Sequence, residues 1–295
     1  MLPTKSFLTT FCLGSLLLTS CSKDTFPKYS SLDRLRILAI VANTPELQNP
    51  AAGITNIQIT PYISDIGGTG DVQLTLQSCL DPGVALGATP DCNDSATASS
   101  IQSITMSSAS TITEGLFGDP ERTGAPQSGA ITVPLQIPVN LLDQFSQTLQ
   151  YNGISYLITI TATTSNNIVK SFRRILVSNK APNSNPTLSD LLIDQTSLTQ
   201  TPSSGTHTLT FSTADTPESY QFLKGNGDYR SLQESYEITW FASEGTLNTY
   251  RATATEPVTW KTTTPNPTPA HKPVVVGVLR DGRGGLSVKV KTLSP

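Results

Sequence analysis

From Arg36 onward, apolar and polar residues alternate with a period of two over short stretches, the pattern of strands that bury one face. In "NIQITPYIS", Ile57, Ile59 and Ile63 fall on one face and Asn56, Gln58 and Thr60 on the other. "DVQLTLQ" sets Val72, Leu74 and Leu76 against Gln73, Thr75 and Gln77. "AITVPLQIP" alternates Ile131, Val133, Leu135 and Ile137, and Pro134 and Pro138 confine it to a sheet edge because proline cannot donate to a ladder. "ISYLITITA" directs Ile154, Tyr156, Ile158, Ile160 and Ala162 inward, and Asn166-Asn167 turns the chain into "IVKSFRRILVS". One stretch departs from this period: in "VNLLDQFSQTLQ", Leu141, Leu142, Phe145 and Leu149 have helical spacing and predict a helix.

Past the Pro- and Asn-rich "NKAPNSNPTLSD", which suits a linker or turn, the alternation resumes. "HTLTF" places Leu209 and Phe211 together, and "SYEITWFASEG" places Tyr236, Ile238 and Trp240 on one face. "PVVVGVL" and "LSVKVKTL" flank the glycine-rich "RDGRGG", a hairpin connection. In the last strand Leu286, Val288 and Val290 are expected to face in, and Ser287, Lys289 and Lys291 to face water.

The amino terminus is different. Lys5 is the only charge before an apolar run from Phe7 to Leu18, which ends in small residues and Cys21. A basic start, an apolar core of about 7–15 residues and a small-residue boundary describe a secretory signal peptide, and the run falls short of the roughly 20 residues of a membrane span. Leu18-Thr19-Ser20-Cys21 resembles the lipobox of bacterial lipoproteins. The resemblance implies cleavage before Cys21, diacylation of its thiol and acylation of the new amino group by palmitate-like chains. Two or more chains give stable attachment where one does not. An Asp after the cysteine often marks inner-membrane retention in that family; Ser22 stands here instead and favours the outer membrane. "SKDTFPKYSS" then reads as a polar tether holding the first unit clear of the headgroups.

Of four cysteines, Cys12 leaves with the leader and Cys21 carries lipid, so Cys79 and Cys92 remain. An even pair in an exported chain reads as a disulfide, which in the chain-entropy model would be worth about 3 kcal/mol for a loop of this length. A zinc site is the competing reading, but two cysteines without a nearby histidine do not complete its shell.

Composition narrows the role. Charged residues are 14% of the chain, and losing Lys5 with the leader moves the formal net charge from −3 to −4. No basic patch is present to neutralise phosphates, so nucleic acid is excluded as a partner. The mature chain of about 275 residues is long enough for two domains.

"ITWFASEGTLN", Trp260 and "VVVGVLRDGRGGLSV" together resemble the immunoglobulin-like or PKD-like module common in bacterial envelope lipoproteins. "LRILAIVANTPEL", "VQLTLQSC" and the "YLITITATTSNN" hairpin resemble a diverged copy of it. The resemblance implies an all-β chain with two immunoglobulin-like β-sandwich units. The expected organisation is a signal peptide (1–20), a lipidated tether (21–31), a first sandwich (32–180), a linker (181–187) and a second sandwich (188–295). True immunoglobulin domains pack a Trp on an inter-sheet disulfide. Here Trp240 lies in the unit without cysteines, so the Cys79–Cys92 bridge is expected to staple a local loop.

Candidate chemistry is sparse. His207 shares the parity of Leu209 and Phe211 in a strand, and His271 sits in the proline-rich "NPTPAHKP". No G-x-S-x-G, H-E-x-x-H, P-loop or C-x-x-C is present, and no catalytic residue is assigned. Asp81, Asp91 and Asp94 gather around the cysteine loop and could hold Ca²⁺, but EF-hand spacing is absent and turn chemistry is the better reading. Asp281 in "RDGRGG" is likewise read as a turn residue, and no metal or cofactor is assigned. The Ser/Thr-rich stretch 95–129 contains Ile101, Ile104, Ile112, Leu116 and Phe117 and is expected to hold one further strand. Its remainder either presents a binding surface or stays disordered. The expectation is therefore a non-enzymatic, membrane-anchored envelope lipoprotein, with a protein or glycan partner reached through loops or edge strands. A purely structural spacer and an accessory subunit of a secretion or surface-assembly complex are the alternatives.

Overall fold

The computed structural model describes residues 29–32, 34–65, 71–83, 89–93, 95–106, 116–117, 130–263 and 273–294. The leader, Cys21, Asp94, Ile112 and His271 lie outside them. In chain order the first unit holds β1 (Arg36–Ala42), β2 (Glu46–Gln48), β3 (Gly53–Ser64), β4 (Val72–Leu80), β5 (Gln102–Met106), β6 (Leu116–Phe117), β7 (Ile131–Ile137), α1 (Gln147–Asn152), β8 (Ile154–Thr163) and β9 (Ile168–Ser178). The second holds β10 (Leu188–Ile193), β11 (Thr196–Ser197), β12 (Gly205–Thr213), β13 (Ser219–Leu223), β14 (Tyr229–Gln233), β15 (Glu237–Ala242), β16 (Thr246–Leu247), β17 (Arg251–Thr253), β18 (Val258–Thr262), β19 (Val274–Arg280) and β20 (Leu286–Thr292).

The chain is all-β, with two β-sandwich units. In the first, β1 pairs one side of β3 while β6 and β7 pair the other, and this sheet faces β2-β9-β8-β4-β5. The period-two residues meet between them: Ile57, Ile59, Ile63, Val72, Leu74, Leu76, Val133, Leu135, Tyr156, Ile158 and Ile160 are all essentially inaccessible. β7 pairs only β3 among the described residues, which accommodates Pro134 at an edge. Tyr156 is carried into this core by its parity, where its hydroxyl donates to the Gln136 carbonyl at 2.7 Å and burial pushes its pKa up to about 12.

The helix expected across residues 139–150 is not continuous. A 3-10 turn covers Leu142–Gln144, Phe145 is extended, and α1 starts only at Gln147. The Ser146 side chain accepts from the Leu149 backbone N–H and so caps a new helix. A serine that can satisfy an orphan N–H favours the start of a helix over its interior, and this overrides the leucine spacing. Among its described residues the stretch 95–129 holds two strands, β5 and β6, where one was expected.

In the second unit β11-β10-β12-β18-β16 packs on β17-β15-β19-β20, with the β13–β14 hairpin standing apart. Trp240 and Trp260, both 1% exposed, anchor its core with Leu191, Leu209, Ile238, Val258 and Leu279. Gly277 in β19 allows the sheets to close: a Cβ there would lie 2.6 Å from a Leu191 methyl.

The second sheet is apolar on both faces. Phe241, Val274, Val276, Val278, Leu286 and Val290 point away from the tryptophan core and pack against Leu32, Leu38 and Ala39 of the first unit. The apolar face of β20 thus serves the seam between units instead of its own sandwich. Lys291, on the opposite face, does not simply face water but reaches Asp190 of β10 at 2.7 Å. The last residues of the stretch read as a tether also belong to the fold. Ser30 accepts from the Ala242 backbone N–H at 3.0 Å, Leu32 is fully buried in the seam, and the Ser64 hydroxyl donates to the Leu32 carbonyl at 2.9 Å.

Shortening a seam side chain leaves a cavity between two sandwiches. Leu38→Ala is expected to cost about 2–4 kcal/mol in urea unfolding. The parent is expected to melt in one calorimetric transition and Leu38→Asp in two, as each sandwich melts alone.

Candidate functional site

The polar counterpart of the apolar seam is a cluster centred on Glu46. The parallel pairing of β2 with the end of β9 carries Glu46 under the linker, where its side chain is 0% exposed. A carboxylate there needs partners, because an isolated buried charge is prohibitively unfavourable. It finds the Arg283 guanidinium at 3.1 Å, the Lys180 ammonium at 3.6 Å and the Asn183 backbone N–H at 2.8 Å. Lys180 closes the first unit, while Asn183 and Arg283 come from the linker and the β19–β20 turn, so one side chain of the first unit fastens two segments beyond it.

Asp281 completes the arrangement. It is 1% exposed and accepts from the backbone N–H groups of Arg283 (2.7 Å) and Gly285 (2.8 Å) and from Asn183 Nδ2 (2.7 Å). The turn reading holds, with a second job in holding the linker. Gly285 is required by close approach, since a Cβ would lie 2.6 Å from the Ser184 carbonyl oxygen. Asn185 clasps both units, donating to the Ala42 carbonyl at 2.6 Å and accepting from the Leu286 N–H at 2.9 Å. The guanidinium of Arg283 also lies 4.9 Å from the Tyr220 ring and 3.8 Å from Glu234. A second clasp forms at α1, where the Asn152 amide exchanges hydrogen bonds with the Leu223 backbone (2.7 and 2.9 Å) and Tyr151 meets Tyr229 edge-on at 5.1 Å.

Beside this cluster opens a cleft of about 460 Å³, walled by the linker and the β12–β13 connection. Its lining includes Asn183, Asn185, Asp215, Glu218, Glu234 and Asp281. Burial raises the pKa of Glu234, the backbone N–H of Glu218 opposes that rise, and the Asp281 and Glu218 charges add to it. Tyr236, also on this wall, is held above its ordinary value by burial and then by the surrounding carboxylates. The cleft is therefore a polar hollow that gathers four carboxylates, Asp215, Glu218, Glu234 and Asp281.

The other sequence candidates lie apart from it. Cys79 and Cys92 form a disulfide, and with Leu157 they make a small buried cluster outside the main core. The bridge staples a loop to the outer face of the sheet at the end of β4. Asp81 pairs with Arg174 at 2.6 Å and accepts from the Gly83 N–H, and Asp91 accepts from the Asn93 N–H. Both are spent on turns, and no group of three metal-ligating side chains occurs among the described residues. His207 bonds Asp194 through Nδ1 at 2.8 Å and Ser203 O through Nε2 at 2.9 Å. Those two bonds raise the pKa of His207, and the histidine bond, followed by the Thr208 N–H, lowers that of Asp194. The pair holds a tight turn in which Asp194 and Gln195 both have positive φ, a structural task.

No family model matches this chain, and no curated protein is detectably similar to it. Among solved structures it is similar to the tandem V-type regions of the v-region-containing chitin binding protein VCBP3, at 12% identity over 88% of this chain and 100% of that one, with a TM-score of 0.29. The partial N-terminal region of an enterococcal surface protein matches at 11% identity over 93% and 98%, also with a TM-score of 0.29. The FN1–FN3 domains of chicken CNTN1 match at 10% identity over 86% and 69%, with a TM-score of 0.22. At these scores nothing about role follows.

Nothing in the local sequence around Glu46 marked it. In "TPELQ" it reads as a surface charge, and only the pairing of β2 with β9 buries it.

Two substitutions test the junction. Glu46→Ala removes the carboxylate of Lys180 and leaves Arg283 with only its longer contacts to Glu234 and Glu218, and is expected to cost about 3–5 kcal/mol in denaturant unfolding. Glu234→Gln should act oppositely. A carboxyl whose folded pKa is raised costs stability above that pKa and regains it as pH falls through it. The variant is thus expected to be more stable than the parent at pH 7, with the gap closing below the ordinary value of 4.5; thermal melts between pH 4 and 8 measure it.

Proposed function

We propose that the chain is a membrane-anchored bacterial cell-envelope lipoprotein with a non-catalytic binding or adhesion role. The observation that carries this is how its buried charged groups are used. Glu46, Arg283, Lys180 and Asp281 would be the natural place for chemistry, and they are bonded to one another and to the linker. Their work is to hold two sandwiches in one arrangement, which suits a body that presents surface. The acid-lined cleft is a surface that such a body would present. The anchor itself rests on Cys21 and its lipobox. The outer membrane is the proposed site, because Ser22 follows the cysteine. The partner is proposed to be a protein or a glycan.

The same fastened junction favours a second reading, a rigid spacer without a ligand of its own. An accessory subunit of a secretion or surface-assembly complex is a third.

Protease treatment of intact cells, with lysed cells and a Cys21→Ala variant as controls, tests the proposal. The parent protein is expected in the membrane fraction and Cys21→Ala in the soluble fraction. Degradation in intact cells would support adhesion to an external partner, and protection until lysis would direct the search to partners in the periplasm. Cross-linking in cells then separates the roles: a reproducible partner supports binding, and its absence with full membrane attachment favours the spacer. Equal membrane attachment of both forms would overturn the anchor.

A further inference from the structure

We infer that Tyr29, Tyr250 and Arg251 form a foot that rests on the headgroup layer of the membrane carrying the lipid anchor. The inference rests on the lipoprotein reading above and adds which side of the folded body meets the bilayer.

Three observations converge on this patch. First, the chain is pinned early. Ser30 and Ser31 pair with Ala242 on the edge of the second unit, and Leu32 is buried in the seam. Tyr29 is therefore fixed to the body, only eight residues beyond Cys21. Eight residues span at most about 26–29 Å, so the acyl chains cannot lie farther than that from Tyr29. The side of the molecule that carries Tyr29 is thus the side held toward the lipid.

Second, that side exposes aromatic surface which the fold does not use. Tyr29 is 73% exposed although its ring stacks on Tyr250 at 5.8 Å, and Tyr250 is itself 37% exposed. Tyrosine pairs an apolar ring with a polar hydroxyl, which suits the interface between water and hydrocarbon. The Arg36 guanidinium fixes this segment by donating to the Tyr29 carbonyl at 2.7 Å.

Third, a cation flanks the pair. The Arg251 guanidinium lies 5.8 Å from the Tyr250 ring and has a 59% exposed side chain; its ion pair to Glu237 is long, at 3.8 Å. An exposed, loosely paired guanidinium can bind lipid phosphate bidentately. The patch is far too small to bind a membrane alone, and it is suited to orienting a body that acyl chains already hold there.

The test uses full-length protein purified from membranes and reconstituted into vesicles of phosphatidylethanolamine and phosphatidylglycerol containing a headgroup nitroxide lipid. A Tyr250→Trp variant reports contact by quenching; the native Trp240 and Trp260 are both 1% exposed, so the parent protein supplies the background. Tyr29→Trp serves in the same way should the first variant lose the parent's near-ultraviolet circular dichroism. Mass spectrometry of the amino-terminal peptide establishes acylation at Cys21. The expected result is an acylated protein in which the added tryptophan loses most of its fluorescence, while the Cys21→Ser form with the same vesicles does not. Acylated protein with an unquenched tryptophan overturns the foot and leaves the lipoprotein reading standing. An unquenched tryptophan with a dimer mass shows that a second copy covers the patch, and also overturns it. Absence of acyl groups on Cys21 overturns both.

Discussion

Glu46 stands at the start of a three-residue strand with its carboxylate shut away from water, and the relative placement of the two sandwiches follows from satisfying it. Its partners are not neighbours in sequence. The nearest is more than a hundred residues away in the linker, and Arg283 lies in the last hairpin. A buried carboxylate with two cations and a backbone N–H is compensated only when those segments are in place together. The linker path, the conformation of "RDGRGG" and one wall of the acidic cleft are therefore set by one constraint. Asp281 and Asn185 relay it, the first by tying the turn to Asn183 and the second by joining the Ala42 carbonyl to the Leu286 N–H.

The apolar seam supplies what this polar cluster does not. Tandem sandwiches joined by a short linker ordinarily move relative to each other unless the interface is large and hydrophobic. Here the sheet of β15, β17, β19 and β20 is shared between two cores, with Trp240 and Ile238 on one face and Phe241, Val276 and Leu286 on the other. Leu38 and Ala39 leave the first unit's core to meet it. Hydrophobic burial provides the non-directional attraction, and the ionic cluster fixes the geometry. A hinge in this region would expose apolar area and separate Glu46 from Arg283 at the same time.

Carboxylates that a sequence reading could offer to a metal are mostly used by the fold itself. Asp81 and Asp91 close turns by accepting backbone N–H groups two residues ahead, and Asp281 does the same from a buried position. Glu234 also accepts a backbone N–H, that of Glu218 at 3.1 Å, but burial outweighs that bond and the Asp281 and Glu218 charges add to the rise in its pKa. Asp215, Glu218 and Asp281 line the same cleft beside Glu234.

The amino-acid order alone determined the long alternating strands of both units, though not the short β2, β11, β16 and β17 or the β13–β14 hairpin, because period-two burial is a local property: Ile57, Ile59 and Ile63, or Ile154 through Ala162, need only one buried face to be recognised. It likewise determined the edge position of β7, since proline lacks a donor, and the local character of the Cys79–Cys92 staple. It misplaced the helix near Leu142, where Ser146 offered the backbone a better start. What lay beyond it was every feature that depends on two distant segments meeting. Alternation says which residues avoid water but not which core receives them, so the turning of Leu286 and Val290 toward the first unit was decided by tertiary packing. For the same reason Glu46 reads as an ordinary surface charge until β2 is laid beside β9. Burial of a charge is a property of what surrounds it, and those surroundings come from the far end of the chain.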